Sequence, residues 1–296
     1  MAANKAKVGF IGLGLMGQAF TKRLTACGYE VSGYDVVPEK MAAAAQHGVR
    51  PAGSPAEVAR ASDIVQICVM TKDDLAAAVF GAEGIAGGGT AGKVLVDHST
   101  TPVDTTKAFA ARLETEAGMG WVDAPVSGGP PAAEAGTLAI MAGGCAADIA
   151  KVEPVMTDLA GVFTAMGPVG AGQITKMVNQ VLVLTNYCVL AEALALAEAG
   201  GVDATKIPAA LATGHAGSNM LKNLYPRLIE RDFQPAGYAR QILKDLGMVH
   251  DLAQQLKVPT PMASQAASLF DILVSKGHGE LDGIAVLKLY DGREQV

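Results

Sequence analysis

Short apolar runs and alanine-rich stretches alternate through the first 165 residues of the chain. The apolar runs are rich in β-branched residues, are bounded by glycine, proline or an acidic residue, and predict strands. These strands are expected at Val8–Ile11, Glu30–Tyr34, Ile64–Met70, Lys93–Asp97, Trp121–Ala124, Thr137–Ala142 and Val162–Ala165. Between them, Gln18–Cys27 predicts a helix, and Ser54 predicts the cap of another that starts at Pro55 and reaches Arg60. Strands that alternate with helices are typical of βαβ units, so we expect an α/β fold built on a parallel sheet.

The sequence changes character near Gly172, after which strand-like runs disappear and helical periodicity continues to the C-terminus. We therefore predict two domains, at residues 1–165 and 166–296, the second of them all-helical. Its helices are expected at Gln173–Ala199, Ala239–Leu256 and Met262–Lys276. The first of these is apolar on most of its circumference, so we expect it to be buried against both domains or against another subunit.

Composition and charge narrow the class of protein. Half of the 296 residues are hydrophobic and 18% are charged, which is typical of a globular protein with a large core. The net charge is −6, and the 23 basic residues form no long run that could follow a phosphate backbone. We therefore expect no nucleic-acid partner. A small anionic substrate is compatible with the negative net charge, because a few local cations and backbone N–H groups determine its binding.

Neither a secretory leader nor a membrane-spanning helix is expected. The N-terminal residues pass from a polar segment into a short apolar run that contains glycines and no cleavage signal. The most apolar stretch, Met177–Ala191, contains Asn179, Gln180 and Asn186 and falls short of the ~20 apolar residues that a spanning helix needs. The four cysteines show no CxxC spacing. We expect a cytoplasmic protein in which Met177–Ala191 is part of a buried helix.

A glycine motif lies between the first predicted strand and the first predicted helix. Its residues are Gly12, Leu13, Gly14, Leu15, Met16 and Gly17, which form the pattern GxGxxG. The first glycine permits a tight turn, the second lets the backbone approach a pyrophosphate, and the third lets helix and strand pack closely. Backbone N–H groups at the helix start then face the negative charge. The order of strand, motif, helix and second strand predicts a dinucleotide-binding site.

Asp35 ends the second predicted strand, 18 residues after Gly17. An acidic residue at this place accepts hydrogen bonds from ribose hydroxyls and repels a 2′-phosphate. The next cationic residue along the chain is Lys40, so we expect NAD rather than NADP. The alternative is that Asp35 caps a helix that begins near Pro38.

Two other segments carry candidate chemistry. Ser127, Gly128 and Gly129 combine a hydroxyl with two unshielded backbone amides and could hold a carboxylate, although an ordinary glycine turn is the alternative. Lys176 lies near the start of the apolar helix, with Asn179 three residues later on the same face. Burial lowers the pKa of an ammonium group and so favours proton exchange near neutral pH. A lysine that reaches solvent from the helix end is the competing interpretation.

Four segments together resemble a known family. They are GFIGLGLMG (Gly9–Gly17), DAPVSGG (Asp123–Gly129), GAGQITKMVNQ (Gly170–Gln180) and KDL (Lys244–Leu246). In this order along nearly the whole chain, they resemble the signature segments of β-hydroxyacid dehydrogenases, which include 3-hydroxyisobutyrate dehydrogenase and tartronate semialdehyde reductase. The resemblance implies a Rossmann doubly wound sheet, an all-helical C-terminal domain joined to it by a long helix, and an active site in the cleft between them. The implied reaction is hydride transfer between NAD(H) and a small 3-hydroxy acid or its semialdehyde.

The resemblance also implies roles for individual residues. Lys176 matches the catalytic lysine, and the matching substrate-binding residues are Ser127, Gly128, Gly129 and Asn179. The residues that line the cofactor are the glycine motif, Asp35, Met70, Thr100 and Lys244. The sequence departs from the family where Met70-Thr71 replaces a common Leu-Pro pair and where Gln180 replaces a common second asparagine.

Several alternatives stay open. An imine reductase shares the implied architecture but generally lacks the lysine, a non-catalytic NAD(H)-binding module would not need it, and phosphogluconate oxidation would need a longer chain with more cations. His98 and His215 are rival catalytic residues, and no histidine lies in a metal-ligand cluster, so no metal is expected. The segment 213–233 resembles tartronate semialdehyde reductases more than hydroxyisobutyrate enzymes. The apolar helix favours a homodimer or homotetramer.

Overall fold

The computed structural model describes residues 5–290, and the contacts within it divide the chain into two compact units, Met1–Lys176 and Met177–Val296. The division lies inside a long helix, Ala171–Ala199. The boundary expected after residue 165 would instead cut a strand that runs to Gly167. Each unit has its own hydrophobic core.

The first unit is built on one sheet whose nine strands all lie in the described residues. The strands are Val8–Ile11 (β1), Val31–Tyr34 (β2), Arg50–Pro51 (β3), Ile64–Ile67 (β4), Val94–Asp97 (β5), Gly120–Asp123 (β6), Val126–Ser127 (β7), Leu138–Gly143 (β8) and Ala160–Gly167 (β9). Their order is β3-β2-β1-β4-β5-β6-β8-β7, with β9 paired to β8. The first six strands pair in parallel in the order of a Rossmann sheet, and β8 runs antiparallel to β6 and β7. The predicted α/β fold class is confirmed.

Helices connect the strands and form the second unit. In the first unit they are Leu15–Ala26 (α1), Pro38–Ala45 (α2), Pro55–Ala61 (α3), Lys72–Phe80 (α4), Val103–Ala117 (α5), Gly129–Ala135 (α6) and Ala146–Leu159 (α7). Ala171–Ala199 (α8) crosses the division, and Ile207–Leu211 (α9), Asn219–Glu230 (α10), Ala239–Leu256 (α11) and Pro261–Leu273 (α12) follow it. Short 3-10 segments occur at Ile85–Gly87, Ala204–Lys206 and Gly283–Leu289, and Val274–His278 forms a π-helical turn.

The central strands β1, β4 and β5 are buried throughout. Because neighbouring residues of a strand point to opposite sides, both faces of the sheet are covered there. On β1, Val8 and Phe10 join the cluster that contains Phe20 of α1, while Ile11 joins the opposite cluster. Gly9 lies between Val8 and Phe10 on β1, and a Cβ atom added to it would lie 2.4 Å from Val58 of α3. This alternation fixes which face of each strand meets which helix layer.

Two predicted elements end at other places than expected. The strand expected to reach Met70 stops at Ile67. The N–H of Cys68 still donates to the backbone oxygen of Ile11 on β1, but the N–H of Val69 donates to the side chain of Ser99 instead. The last helix was expected to reach Lys276. It ends at Leu273 and passes into the π-helical turn, where Gly277 has a φ of 87° that ordinary helical residues do not adopt.

The long helix α8 is buried on one face only. Among the described residues it is the one helix that by length and composition could cross a membrane, and 39% of its most apolar window is buried within the chain. The residues exposed along its other face include Ile174, Val178, Leu182, Val189 and Leu196. Polar residues are buried near its start, namely Gln173, Lys176 and Gln180. The predicted burial on most of the circumference therefore does not occur within the single chain.

The cap predicted at Ser54 is confirmed, since its side chain accepts a hydrogen bond from the backbone N–H of Glu57. We expect Ser54→Ala to lower the free energy of unfolding of the first unit by about 1 kcal/mol, because that N–H loses its partner. Urea unfolding of the two proteins measures the change. Ser54→Asp, which can cap equally well, is the control, and an equal loss in both variants would contradict the capping role.

Candidate active site

The candidate site residues of the first unit lie where parallel strands end. Gly12 follows β1, Met70 follows β4 by three residues, Thr100 follows β5, and Ser127 lies in the short strand β7, four residues after β6. In an open parallel sheet ligands bind outside the carboxyl ends of the strands, near the point where the strand order reverses. Here that point lies between β1 and β4. The topology thus brings separate segments of the sequence to one edge.

The glycine motif forms a tight turn into α1. Gly12 has a φ of 86°, and an added Cβ atom would lie 2.2 Å from the backbone oxygen of Cys68. A Cβ atom on Gly17 would lie 2.0 Å from the backbone oxygen of Gly12. A Cβ atom on Gly14 would instead meet nothing within 4 Å. Gly14 is the cap residue before α1, and no side chain caps the helix there. The turn therefore leaves open space before the N–H groups of the helix start, as a pyrophosphate requires. The helix begins at Leu15, inside the motif, rather than at Gln18 as expected.

Asp35 is buried directly beside this turn. Its Oδ2 atom accepts a hydrogen bond of 2.7 Å from the N–H of Leu13, and its Oδ1 atom accepts one of 2.9 Å from the N–H of Val37. The helix α2 begins at Pro38 with Val37 as its cap residue, so Asp35 does not cap it. Lys40 lies 3.7 Å from Oδ1. Each carboxylate oxygen has a second lone pair with which to accept a ribose hydroxyl.

The loops after β4 and β5 support each other. The Oγ atom of Ser99 accepts a 3.0 Å hydrogen bond from the N–H of Val69, which sets the path of the chain toward Met70. The Met70-Thr71 pair, where the sequence departs from the family, leads into a helix cap, because Thr71 forms a capping box with Asp74 at the start of α4. Met70 is 42% exposed at this edge.

The segment Ser127-Gly128-Gly129 is more than a loose glycine turn. Ser127 belongs to β7, and α6 begins at Gly129. Gly128 has a φ of 130° and Gly129 a φ of 70°, and both values lie in the region that favours glycine. A Cβ atom on Gly128 would also lie 2.6 Å from that of Ala132. Only glycine therefore suits this backbone path, which presents the Ser127 side chain and the following amides together.

Lys176 is buried rather than directed into solvent, since it is only 8% exposed. Its Nζ atom donates a 2.8 Å hydrogen bond to the backbone oxygen of Val126, the residue before Ser127. The competing interpretation, a lysine that reaches solvent from the helix end, is wrong for this structure. The amine is held beside the segment predicted to bind a carboxylate, so both groups can act on one small molecule.

Two residues that sequence reasoning did not assign position α8. The carboxylate of Asp123, at the end of β6, accepts hydrogen bonds from the N–H groups of Gly170 (2.7 Å) and Gln173 (2.9 Å) at the start of the helix. The side chain of Gln173 donates to the backbone oxygen of Ser99 and accepts from the N–H of Thr101. Asp123 was visible as the first residue of its motif, but its partners lie almost fifty residues away, so no local pattern indicated the contact.

The remaining candidates belong to the second unit and form a chain of polar contacts there. Asn179 donates through Nδ2 to Oε1 of Gln180, and Nε2 of Gln180 donates to Oδ2 of Asp245. Lys244 forms an ion pair with Asp245 at 3.4 Å. A carboxylate only accepts, so Asp245 fixes the orientation of the Gln180 amide and, through it, that of Asn179. The glutamine that departs from the family pattern therefore has a defined partner.

His98 is a core residue. It is buried, stacks on Phe20 with ring centroids 4.6 Å apart, and uses its two nitrogens to contact the backbone oxygen of Ala124 and the side chain of Gln66. Burial lowers its pKa to about 4. His215 lies exposed in the second unit. Within residues 5–290, no group of three or more His, Cys, Asp or Glu side chains is placed to hold a metal ion.

The sheet order, the open glycine turn and the buried Asp35 together define a dinucleotide-binding protein of the Rossmann class. Comparison with family models agrees with this class. Residues 7–167 match the NAD-binding domain of 6-phosphogluconate dehydrogenase, and residues 170–290 match the NAD-binding domain of NADP-dependent 3-hydroxyisobutyrate dehydrogenase.

Individual relatives span nearly the whole chain. An L-threonate dehydrogenase of Cupriavidus necator is 34% identical over 97% of both chains, and a 2-hydroxy-3-oxopropionate reductase of Escherichia coli is 33% identical over 95% of this chain and 96% of its own. A crystal structure of 3-hydroxyisobutyrate dehydrogenase from Salmonella typhimurium superposes with a TM-score of 0.88 at 29% identity, covering 96% of this chain and all of that one.

The chain belongs to the β-hydroxyacid dehydrogenase family, which confirms the resemblance found in the sequence. It is an oxidoreductase with NAD(P)-binding domains, related to dehydrogenases and reductases of small hydroxy acids.

The surroundings of His98 generate a prediction about its titration. Because burial lowers its pKa to about 4, its ring should stay neutral from about pH 5.5 to pH 8. We expect its NMR resonances to remain constant over that range. A His98 midpoint near the ordinary value would contradict the assignment of His98 to the core.

Proposed function

We propose that this protein is an NAD-dependent dehydrogenase of a small 3-hydroxy acid, with Lys176 as its proton-transfer residue. The observation that carries the proposal is the burial of Lys176 with its Nζ atom 2.8 Å from the backbone oxygen of Val126. An amine held at one position, next to a segment suited to a carboxylate, is the arrangement that general acid–base catalysis requires.

Each residue of the proposed site has a separate role in binding or proton transfer. Ser127 and the amides of Gly128 and Gly129 bind the substrate carboxylate and so orient the hydroxyl-bearing carbon. When bound, the nicotinamide cofactor accepts or supplies the hydride. Lys176 takes the hydroxyl proton during oxidation and returns a proton to the carbonyl oxygen during reduction. Asn179 lies three residues along α8 on the same helix face and binds the substrate through its amide.

The cofactor site takes NAD(H) through contacts of the chain itself. The glycine motif holds the pyrophosphate at the start of α1, and Asp35 accepts the ribose hydroxyls. The carboxylate of Asp35 would repel a 2′-phosphate, which favours NAD over NADP. Lys40 weakens that repulsion only in part, since it lies 3.7 Å from the carboxylate and is half-exposed. Met70 and Thr100 line the cofactor at the ends of β4 and β5, and the family resemblance assigns Lys244 to cofactor binding as well.

The proposed substrates are three-carbon acids that carry a 3-hydroxyl or a 3-aldehyde, with four-carbon sugar acids as the second candidate. The relative named 2-hydroxy-3-oxopropionate reductase supports the first class, and the relative named L-threonate dehydrogenase supports the second. An NADH-dependent assay against small semialdehydes, with the reverse reaction on the matching hydroxy acids, separates them. An imine added to the same panel tests an imine reductase, which would reduce the imine and no semialdehyde, whereas a non-catalytic module would turn over nothing.

We also propose a cytoplasmic homodimer or homotetramer. The exposed apolar residues of α8, among them Val178, Leu182 and Leu196, favour a second subunit as a partner of that helix. The four cysteines form no disulfide, as expected in a reducing compartment.

Replacement of Lys176 tests the catalytic role. We expect Lys176→Ala to lower turnover by about two to four orders of magnitude with little change in NADH affinity, because only the proton-transfer group is lost. Steady-state kinetics and NADH titration measure the two effects. Lys222→Ala, at an exposed lysine of α10, is the matched control. Near-normal turnover in Lys176→Ala would reject the role.

Replacement of Asp35 tests the cofactor preference. We expect Asp35→Ser to reduce kcat/KM for NADH by about tenfold or more and to improve the relative use of NADPH, because a charge-assisted hydrogen bond is lost and a repulsive charge is removed. Kinetics with both cofactors give the ratio. Asp271→Ser, at an exposed site of α12, is the control. An unchanged cofactor ratio would show that another group discriminates between the two.

A further inference from the structure

The start of α8 is attached to the end of β6 by a single buried side chain. Asp123 is fully buried, and its two oxygens accept separate hydrogen bonds from Gly170 and Gln173. These are N–H groups that a helix leaves without an internal partner at its N-terminus. Asp123, at the end of strand β6, therefore caps the N-terminus of α8.

Glycines make this close approach possible. A Cβ atom on Gly172 would lie 2.5 Å from the backbone oxygen of Asp123 and 2.8 Å from Oδ2 of the same residue. A Cβ atom on Gly143 of β8 would lie 2.6 Å from Oδ1. The carboxylate thus occupies a space that only backbone and glycine can enclose.

The same two segments of chain meet a second time. One turn along α8 from the capped N–H groups, Lys176 donates to Val126, three residues after Asp123. Residues 123–126 and 170–176 are therefore joined at both ends, by the carboxylate at one end and by the amine at the other. A displacement at the first contact moves the helix turn that carries the second.

We infer that Asp123 is a positioning residue for Lys176, and that its ionised carboxylate keeps the amine at the place where proton transfer occurs. The inference rests on the proposed function, since it gives Asp123 a role only if Lys176 transfers the proton. Asp123 need not touch substrate or cofactor for this role.

The ionised form is required because both oxygens must accept. A carboxylate has acceptors on both oxygens, whereas a protonated acid or an asparagine carries a donor on one side. That donor would face the N–H of either Gly170 or Gln173 and leave it buried without a partner, which is costly. Protonation and Asp123→Asn should therefore loosen the start of α8 in the same way.

Burial raises the pKa of Asp123 to about 6, and the N–H groups of Gly170 and Gln173 oppose that rise only in part. Three other ionisable residues lie near it. Asp97 is its register partner on β5, where burial raises the pKa of Asp97 to about 7. His98 follows Asp97 and has a pKa of about 4, and Lys176 lies on α8.

The folded-state pKa of Asp123 lies above the ordinary value, so its contribution to stability is present at low pH and is lost as pH rises through about 6. Acid therefore protonates this site without weakening the fold through it.

The pH dependence of reduction gives the decisive readout. In that direction Lys176 must carry a proton, so its own titration would favour acid. We expect kcat for semialdehyde reduction to fall instead below about pH 6 in the unmodified protein, by about tenfold to a hundredfold, because a small displacement of a catalytic group can cost that much. NADH affinity, measured at the same pH values, should change little, and the midpoint of thermal unfolding should not fall through protonation of Asp123.

Three variants test whether Asp123 causes the fall of kcat in acid. Asp123→Asn should show the lowered kcat at every pH, with no further fall in acid. Gly172→Ala, which displaces the same helix turn but leaves the carboxyl group, should lower kcat and retain the acidic decline. Asp97→Asn should also retain it, because the titrating group is still present. A decline that disappears in Asp97→Asn and persists in Asp123→Asn would overturn the inference.

The wild-type profile keeps the inference testable if Asp123→Asn does not fold, since a kcat that is constant or rises down to about pH 5 would contradict it. Its failure is distinct from failure of the proposed function. If Lys176→Ala abolishes turnover while Asp123→Asn keeps normal kcat and pH dependence, the function stands and the positioning role is wrong. If Lys176→Ala retains turnover, the function itself is wrong.

Discussion

The attachment of α8 to the sheet is the constraint on which the candidate site of the first unit depends. The first two turns of this helix contact Asp123 through backbone N–H groups, the loop after β5 through the Gln173 side chain, and Val126 through Lys176. Two separate segments of the chain, the loop after β5 and residues 123–126, are therefore held by the start of one helix. A carboxylate that receives two backbone N–H groups in a buried place is a strong and directional contact, because both partners would be costly to leave unpaired.

The parallel sheet supplies the frame for this turn. Strands β1 to β6 all end on one side, so the glycine turn, the loop carrying Ser99 and the substrate segment gather there without any of them being close in sequence. Strand β4 ends early at Ile67, and after a last backbone contact from Cys68 to β1 the N–H of Val69 donates to the side chain of Ser99. The loops are therefore fixed by one another as much as by the strands, which is how loops can hold reacting groups in place.

Local patterns were enough to predict part of this arrangement. The glycine motif and Asp35 follow from spacing, since each needs only the strand before it and the helix after it, and the cap at Ser54 is equally local. The burial of Lys176 was left open by the sequence, because a lysine near a helix start can either reach solvent or be enclosed, and only tertiary packing decides between them. The roles of Asp123 and Gln173 depend on partners in distant segments. The second partner of Gln180 is likewise on another helix of its unit, 65 residues later.

The central claim is that the amine of Lys176 transfers a proton, and chemical rescue tests it most directly. In Lys176→Ala, added methylammonium should restore part of the reduction rate in proportion to its concentration, because it supplies a transferable proton in the vacated space. Tetramethylammonium, which has the charge and no such proton, should restore nothing. Equal acceleration by both ions, or none by either, would contradict proton transfer by this amine.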